Sequence, residues 1–263
     1  MSEIKQSYAD RIELNLAAYS PFGFRDDQPG RWSLMQHGAQ LADFLGFLPE
    51  ADDTDEYPAH IGFDEHCRRA IEMSVAKRKV AHIHLDQRNE PTERGIERLV
   101  AVAEKTPPFA TDDGSPSIWG VHVISPTTYT EERFEALVAK LAALNIGVIC
   151  CPTAALGMRQ LRPVPSPTDN SFPRLLDFIA GGVSVRLASD NIADNCSPST
   201  TPDLVDEILA ASAACRFYDP EILAKIACGR PIEENDRAVV RDHLAENRRE
   251  IDRTLHFLGA IQQ

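Results

Sequence analysis

Short apolar runs alternate with longer amphipathic stretches along most of this chain. The apolar runs predict strands at residues 12–19, 43–48, 80–85, 118–124, 147–151 and 183–188. The amphipathic stretches predict helices at residues 29–41, 64–79, 92–105, 130–144, 173–180, 202–216, 220–227 and 234–258. Because the strands are apolar along their whole length, we expect both faces of the sheet to be buried, as in a parallel sheet. The repeat of strand and helix predicts βα units.

The number of units determines how much of a barrel the chain can form. A closed (β/α)₈ barrel needs eight strands and usually about 250 residues. Here only about six units are predicted, and much of the last quarter of the 263 residues is helical. We therefore predict an α/β fold that is TIM-barrel-like but incomplete, with extra C-terminal helices. No Gly- or Ser-rich linker interrupts the sequence, so residues 1–263 are expected to form one domain, on which an amphipathic helix at 234–258 packs.

The composition excludes several classes of protein. Hydrophobic residues make up 43% of the chain and charged residues 25%, which is typical of a soluble globular enzyme. A net charge of -13 argues against binding to nucleic acid or to an anionic membrane surface. No apolar run is long enough to span a bilayer, and the first residues lack a signal-peptide core, so we expect a cytoplasmic protein. The six cysteines include no Cys-x-x-Cys pair and are expected to be buried apolar residues.

Side chains that can bind metal or transfer protons cluster near predicted strand ends. His82, His84 and Asp86 alternate in the third strand, so we expect all three to project to one face. The alternative interpretation is two core histidines and a helix-capping carboxylate. Burial of these groups without partners costs free energy, which favours a functional cluster. The remaining histidines are expected at the surface: His37, His60, His66, His243 and His256.

Two further candidates follow other strands. His122 lies near the end of the fourth predicted strand, and Asp190 directly follows the sixth. Taken alone, His122 is more typical of a core residue, and Asp190 of a helix cap. In a barrel-like sheet, however, the C-terminal strand ends converge, so both are expected to meet His84 there. Two imidazoles and a carboxylate suit Zn²⁺ or Fe²⁺ with open coordination positions, and a bound metal makes water a nucleophile near neutral pH.

Three segments carry a resemblance to a known family, at residues 82–87, 121–125 and 188–194. Their order and their placement at consecutive strand ends resemble the amidohydrolase superfamily, and within it the cytosine deaminase-like branch. The resemblance covers residues 11–230 and implies metal-activated hydrolysis of a C–N bond, often in a nitrogen heterocycle. It implies that His84 is the metal-site histidine of the barrel's fifth strand. His122 would touch metal-bound water or substrate, and Asp190 would bind metal and act as general base.

The chain departs from the family pattern at its amino-terminal side. The family begins with a His-x-His pair that supplies two metal ligands, and no such pair precedes His82. Residues 12–19 resemble the third strand of the barrel, so the resemblance implies that the first two βα units are lacking. An open edge of buried strands is an aggregation hazard. We expect the edge to be completed by a second polypeptide, by another copy of this chain, or by an N-terminal segment folded differently.

The second departure is Gln87, which occupies the position of a proton-shuttling glutamate in the deaminases. Gln87 cannot ionise, although it can hydrogen-bond a substrate amide or ring nitrogen. In the family, the loop that contains Arg159 lines the substrate pocket. Arg159 is therefore either a substrate-binding residue for a carboxylate or carbonyl, or a solvent-facing side chain.

These observations predict a metal-dependent hydrolase that cleaves a C–N bond of a small cyclic or amide substrate. The predicted catalytic residues are Asp190, His122 and Gln87, and the predicted metal ligands are His84, His122 and Asp190. Zinc and iron are the expected metals, with manganese as a third candidate. The alternative is a non-catalytic barrel remnant or structural subunit that completes its barrel with another chain. A further option is that the three ligands form a self-sufficient metal site.

Overall fold

The computed structural model describes residues 2–157 and 172–261. One parallel sheet runs through it, with its strands in the same order as in the sequence. The strands are β1 Ala17–Ser20, β2 Phe44–Phe47, β3 Ala81–Leu85, β4 Ile118–His122, β5 Ile146–Cys150 and β6 Val185–Leu187. The predicted α/β fold with six parallel strands is confirmed. The first strand is shorter than predicted, because residues 12–16 form no strand.

Helices connect each strand to the next, as βα units require. The described ranges contain α1 Ser2–Ser7, α2 Gly30–Leu41, α3 Phe63–Lys77, α4 Gly95–Ala103, α5 Glu131–Ala143, α6 Pro152–Gly157, α7 Leu175–Ala180, α8 Leu204–Cys215, α9 Pro220–Ala227 and α10 Glu234–Ile261. The short α6 was not predicted from the sequence. None of the helices described is both long and apolar enough to cross a membrane.

The two faces of the sheet are covered differently. In β3, Ala81, Ile83 and Leu85 are fully buried in the main hydrophobic core, whereas His82 and His84 lie on the opposite, inner face and are only partly buried. Register places His82 beside Trp119 and His84 beside Val121. The inner face therefore carries both histidines next to a smaller apolar cluster that contains Trp119, Val121, Ile149, Cys151 and Ala154.

The sheet is open along both edges within residues 2–157 and 172–261. There β1 pairs only with β2, and β6 pairs only with β5. Tyr19, on the inner side of β1, keeps 44% of its surface exposed. At the C-terminal end, α10 contacts α7 and buries Val240, while Ile251 and Leu255 on the same helix stay exposed.

The prediction for the cysteines holds for only part of the set. All six are free thiols, and Cys67, Cys150 and Cys151 are buried among apolar side chains. Cys196 and Cys228 are exposed, so the expectation of burial is wrong for them. Both lie outside regular secondary structure, where the hydrophobic periodicity that predicts burial is lost.

Asp86 caps a helix and does not share a face with His82 and His84. The strand ends at Leu85, and Asp86 takes a left-handed conformation with φ 57° that turns its side chain away from the inner face. Its two carboxylate oxygens accept the N–H groups of Gly95 at 2.6 Å and Ile96 at 2.7 Å, at the start of α4. A Cβ at Gly95 would lie 2.8 Å from Asp86 Oδ1, so this approach needs glycine. The same-face prediction for Asp86 is wrong, and the capping interpretation is right.

Asp86→Ala is expected to destabilise the protein by about 1–3 kcal/mol, because two buried N–H groups lose their acceptor. Urea denaturation followed by circular dichroism measures this loss. Asp203→Ala removes an exposed cap from α8, where Asp203 accepts the N–H of Val205 at 2.9 Å, and is expected to cost less because water replaces the acceptor. An equal or larger loss for Asp203→Ala would contradict the role given to Asp86.

Candidate active site

A cavity of about 460 Å³ lies against the inner face of the sheet and extends to the carboxyl ends of its strands. Four of the predicted site residues line it: His84, Gln87, His122 and Asp190. The other lining residues are Ala17, Tyr19, Phe44, Gly46, Leu48, His82 and Asn191. Arg159 lies outside the described residues. The structure therefore brings together side chains from three separate segments of the sequence.

His84 is held as a neutral imidazole beside this cavity. Its Nδ1 lies 3.2 Å from the carbonyl oxygen of Phe47, and a proton donated there leaves a lone pair on Nε2. Burial lowers the pKa of His84, while the contact with Phe47 and the negative charge of Asp190 oppose that shift. Its ring centroid lies 5.4 Å from that of Tyr19 and 5.5 Å from that of His122. His84 can thus serve as a ligand or hydrogen-bonding group near neutral pH.

His122 reaches the cavity because the backbone changes conformation at the end of β4. Register pairs His122 with Leu85, whose side chain belongs to the outer core, so strand alternation alone would turn His122 outward. Instead His122 has φ 73° and Val123 has φ 50°, both left-handed. The imidazole is 2% exposed, and its buried Nδ1 has no hydrogen-bond partner among the described residues. Burial, together with the nearby His84, lowers the pKa of His122 to about 3, which keeps the ring neutral.

Asp190 follows β6 with φ 61° and lines the same cavity. Burial raises the pKa of its carboxyl, and the electrostatic interaction with His84 opposes this shift. A carboxylate with a raised pKa is a better proton acceptor than an ordinary surface aspartate. Left-handed backbone in residues with a Cβ is uncommon and is concentrated at functional sites. Its recurrence at His122 and Asp190 supports a functional role for this end of the sheet.

Glu50 contacts the cavity-lining residue Gln87 and borders a different cavity, and the sequence did not indicate this contact. It lies in a 3₁₀ helix, Pro49–Asp52, directly after β2. Its Oε1 accepts the backbone N–H of Asp86 at 2.8 Å, and its Oε2 accepts Nε2 of Gln87 at 3.3 Å. Burial, then the charges of Glu93 and Asp86, raise the pKa of Glu50 to about 8. The available signal was its place after a predicted strand, the same position that singled out Asp190.

A buried aspartate fixes the 3₁₀ helix that carries Glu50. Asp52 is fully buried and accepts the N–H of Phe24 at 2.7 Å. It also contacts Nδ1 of His66 at 2.6 Å and Nδ1 of His60 at 2.9 Å. His66 is itself fully buried, with its ring against Phe24, so the prediction that it lies at the surface is wrong. Its position on the buried side of α3 accounts for the difference.

The donor types at the cavity suit a divalent metal, but their arrangement is not that of a metal site. Within residues 2–157 and 172–261, no group of three or more His, Cys, Asp or Glu side chains could hold an ion. The two ring centroids of His84 and His122, 5.5 Å apart, are close enough for one ion to contact both rings. The unpartnered Nδ1 of His122 is the observation that favours a ligand there. The three predicted metal ligands therefore stay a prediction.

Glu50→Gln is expected to flatten the pH dependence of stability. The pKa of Glu50 is raised from 4.5 to about 8, so between these pH values the folded state binds the proton more tightly than the unfolded chain. Stability contributed by this proton is present at low pH and lost as pH rises through about 8. Between pH 5 and 8 the wild type should therefore lose roughly 3–4 kcal/mol more than Glu50→Gln in urea denaturation. The exposed Glu132→Gln is the control, and an unchanged profile in Glu50→Gln would contradict the shift.

No family model matches the chain. A Haemophilus influenzae protein described as uncharacterized is 25% identical over 150 residues, which cover 57% of this chain and 50% of that protein. Klebsiella pneumoniae 5-methylcytosine deaminase with 5-fluorocytosine aligns with a TM-score of 0.72 and 19% identity, covering 86% of this chain and 52% of the enzyme. N-isopropylammelide isopropylaminohydrolase from Burkholderia multivorans aligns with a TM-score of 0.63 and 17% identity, covering 85% of this chain and 50% of that enzyme.

The chain spans about half the length of each of these three proteins. At these sequence identities, the similarity to the two solved enzymes shows the fold. The chain thus shares its fold, including the six-stranded parallel sheet, with about half of each of these two enzymes.

Proposed function

We propose that this chain carries catalytic residues of a metal-dependent hydrolase that cleaves a C–N bond in a small cyclic or amide substrate. The observation that carries the proposal is the shared cavity of His84, His122, Asp190 and Gln87 at the carboxyl ends of the strands. That end of a parallel α/β barrel is where catalytic residues are found. The names of two similar structures, a deaminase and an aminohydrolase, support this reaction class.

The cavity walls favour a small, flat substrate. Its volume of about 460 Å³ lies within the range of roughly 300–1,000 Å³ that is common for small-molecule sites. Aromatic rings form part of the wall, with Phe44 and His82 at a centroid distance of 4.7 Å. Burial lowers the pKa of His82 to about 4, so this ring is also uncharged near neutral pH. A planar heterocycle or amide can pack on these rings while its polar edge faces His84, Gln87 and Asp190.

Each polar side chain has a role that its environment supports. Asp190, whose pKa is raised by burial, accepts a proton from the attacking water. Gln87 hydrogen-bonds the substrate amide or ring nitrogen. The uncharged imidazoles of His84 and His122, together with Asp190, are the residues that would hold a metal ion. A divalent zinc, iron or manganese ion bound there would supply the positive charge that makes water a nucleophile near neutral pH.

Glu50 is proposed as a positioning residue that acts through Gln87. Gln87 cannot ionise, and the ionisable group in contact with its amide nitrogen is the carboxyl of Glu50. When ionised, Glu50 accepts from the Gln87 amide nitrogen, so the Gln87 carbonyl is free to accept from the substrate. When protonated, Glu50 can donate to that carbonyl, so the Gln87 amide nitrogen is free to donate. The protonation state of Glu50 thus determines which half of the Gln87 amide meets the substrate.

The second candidate function is that of a structural subunit, which has the same fold but neither binds metal nor catalyses a reaction. It is favoured by the absence of a metal-binding group in the part of the chain that the structure describes. Under either function, we propose that the open β1 and β6 edges are completed by a second polypeptide or by another copy of this chain. The difference between the two functions lies in whether the cavity binds metal and turns over substrate.

Metal analysis of the purified protein should find about one equivalent of zinc, iron or manganese per chain. His84→Ala and Asp190→Ala are expected to lower this content about tenfold or more without loss of the folded state, which circular dichroism monitors. His37→Ala, at an exposed histidine far from the cavity in sequence, serves as the matched control. Full occupancy in either site variant would refute the ligand assignment, and no metal in the wild type would favour the structural subunit.

The release of ammonia or amine from a panel of small heterocyclic and amide substrates tests the reaction. Asp190→Asn, which keeps the shape of the side chain and removes the base, should lower kcat by about 10²–10⁴-fold. Glu50→Gln should alter the shape of the pH profile of kcat/KM more than it lowers the maximal value of kcat/KM, because Glu50 acts through Gln87. An Asp190→Asn variant as active as the wild type would exclude the proposed base.

A further inference from the structure

A second, smaller cavity lies at the opposite end of the sheet from the candidate active site. Its volume is about 150 Å³. It is bordered by the start of β6 at Ser184–Arg186, by residues 113–116 before β4, and by the turn between α9 and α10 at residues 229–232. Residues 113–116 precede β4 and Ser184 precedes β6, whereas Gln87 follows β3 and Asp190 follows β6. The two cavities are therefore separate sites on one sheet.

Three arginines line this cavity, and none of them has an ion-pair or hydrogen-bond partner for its guanidinium among the described residues: Arg186, Arg230 and Arg237. Elsewhere in the chain, arginines are commonly paired with carboxylates, as Arg133 is with Glu97 at 2.7 Å. Carboxylates are also plentiful, since 40 acidic residues face 27 basic ones. Three unpaired guanidiniums around one small cavity are thus not a consequence of a general shortage of acidic partners.

Two of these arginines, Arg186 and Arg237, are partly shielded from water. The guanidinium of Arg186 lies 4.5 Å from the ring centroid of Trp119, and Trp119 is itself fixed by a 2.9 Å hydrogen bond from Nε1 to the carbonyl of Pro116. Burial lowers the pKa of Arg186, while the negative charge of Asp113 opposes that shift. Nε of Arg237 is buried and has no partner among the described residues. A buried donor of this kind is stabilised by an acceptor.

The acidic residue in the lining, Asp113, is occupied by its own loop. Its carboxylate accepts the hydroxyl of Thr111 at 2.9 Å and both the N–H and the hydroxyl of Ser115 at 3.0 Å. It therefore does not neutralise the arginines by direct contact. Three guanidiniums against one carboxylate leave the lining with a positive charge, in a chain whose formal net charge is -13.

We propose that this cavity binds a phosphoryl group, either inorganic phosphate or the phosphate of a small monoester. Several guanidiniums that border one small space match the many acceptor oxygens of phosphate, each of which can take a charge-assisted hydrogen bond. A cavity of about 150 Å³ admits a single phosphoryl group and excludes a dinucleotide. The inference concerns residues outside the candidate active site, so it does not depend on the proposed hydrolysis.

Isothermal titration of the full chain with inorganic phosphate, in chloride buffer at constant ionic strength, tests the site. One saturable equivalent is expected, and Arg230→Gln and Arg237→Gln should each weaken binding about tenfold or more. Arg230 is exposed, so its replacement tests binding without removing buried packing. Arg216→Gln, at an exposed arginine outside the cavity, is the matched control and should bind like the wild type. Thermal unfolding without phosphate checks that each variant is folded.

Two further titrations identify the source of the group. If glycerol 3-phosphate binds more tightly than inorganic phosphate, the ligand is a monoester; if inorganic phosphate binds more tightly, the ligand is the free ion. Either result supports the site when Arg230→Gln and Arg237→Gln weaken the binding of the tighter ligand. Acetate binding as tightly as phosphate would overturn the assignment to a phosphoryl group. Phosphate binding that is equally strong in wild type, Arg230→Gln and Arg237→Gln, or that does not saturate, would overturn the site itself.

Discussion

The backbone conformation at the carboxyl ends of the strands is the constraint on which the candidate active site depends. Asp86, His122 and Asp190 have φ values of 57°, 73° and 61°. Such left-handed conformations cost about 1–3 kcal/mol in residues with a Cβ and persist only where surrounding contacts hold them. Around Asp86 those contacts are visible, because its carbonyl oxygen accepts the N–H groups of Ile124 at 2.9 Å and Ser125 at 3.2 Å. Contacts within the packed sheet thus stabilise the left-handed conformations at the strand ends, which orient the side chains of His122 and Asp190 toward the cavity.

Asp86 joins the scaffold to the site through all of its polar groups. Its carboxylate caps α4, its carbonyl holds the chain after β4, and its N–H is donated to Glu50. Glu50 in turn contacts Gln87, which lines the cavity. Asp86, which the sequence presents as a candidate for chemistry, therefore has a structural role. Through Glu50 it links the cap of α4 to the orientation of the Gln87 amide in the cavity.

Local pattern was sufficient for the sheet and for part of the site. The alternation in β3 correctly placed His84 on the inner face, because side chains in a strand follow a period of two. The same rule turns His122 outward, and only the left-handed turn at the end of β4 brings it back. Glu50 was missed because its raised pKa arises first from burial in the folded chain and then from the charges of Glu93 and Asp86, which are distant in sequence. Sequence periodicity therefore cannot predict the orientation of a side chain at a strand end, or the burial of a side chain by residues distant in sequence.

The open β1 edge bears on the chemistry of the cavity as well as on the stability of the sheet. Tyr19 lines the cavity from β1 and is 44% exposed, so water reaches the inner face from that side. A strand paired with β1 would exclude this water and lower the local dielectric constant. Lower solvation disfavours the charged form of each group, so it would raise the pKa of Asp190 further and lower that of His84 further. The lower pKa keeps the His84 imidazole uncharged, and the higher pKa makes the Asp190 carboxylate a stronger base. A partner at this edge would therefore change the reactivity of both residues without supplying either of them.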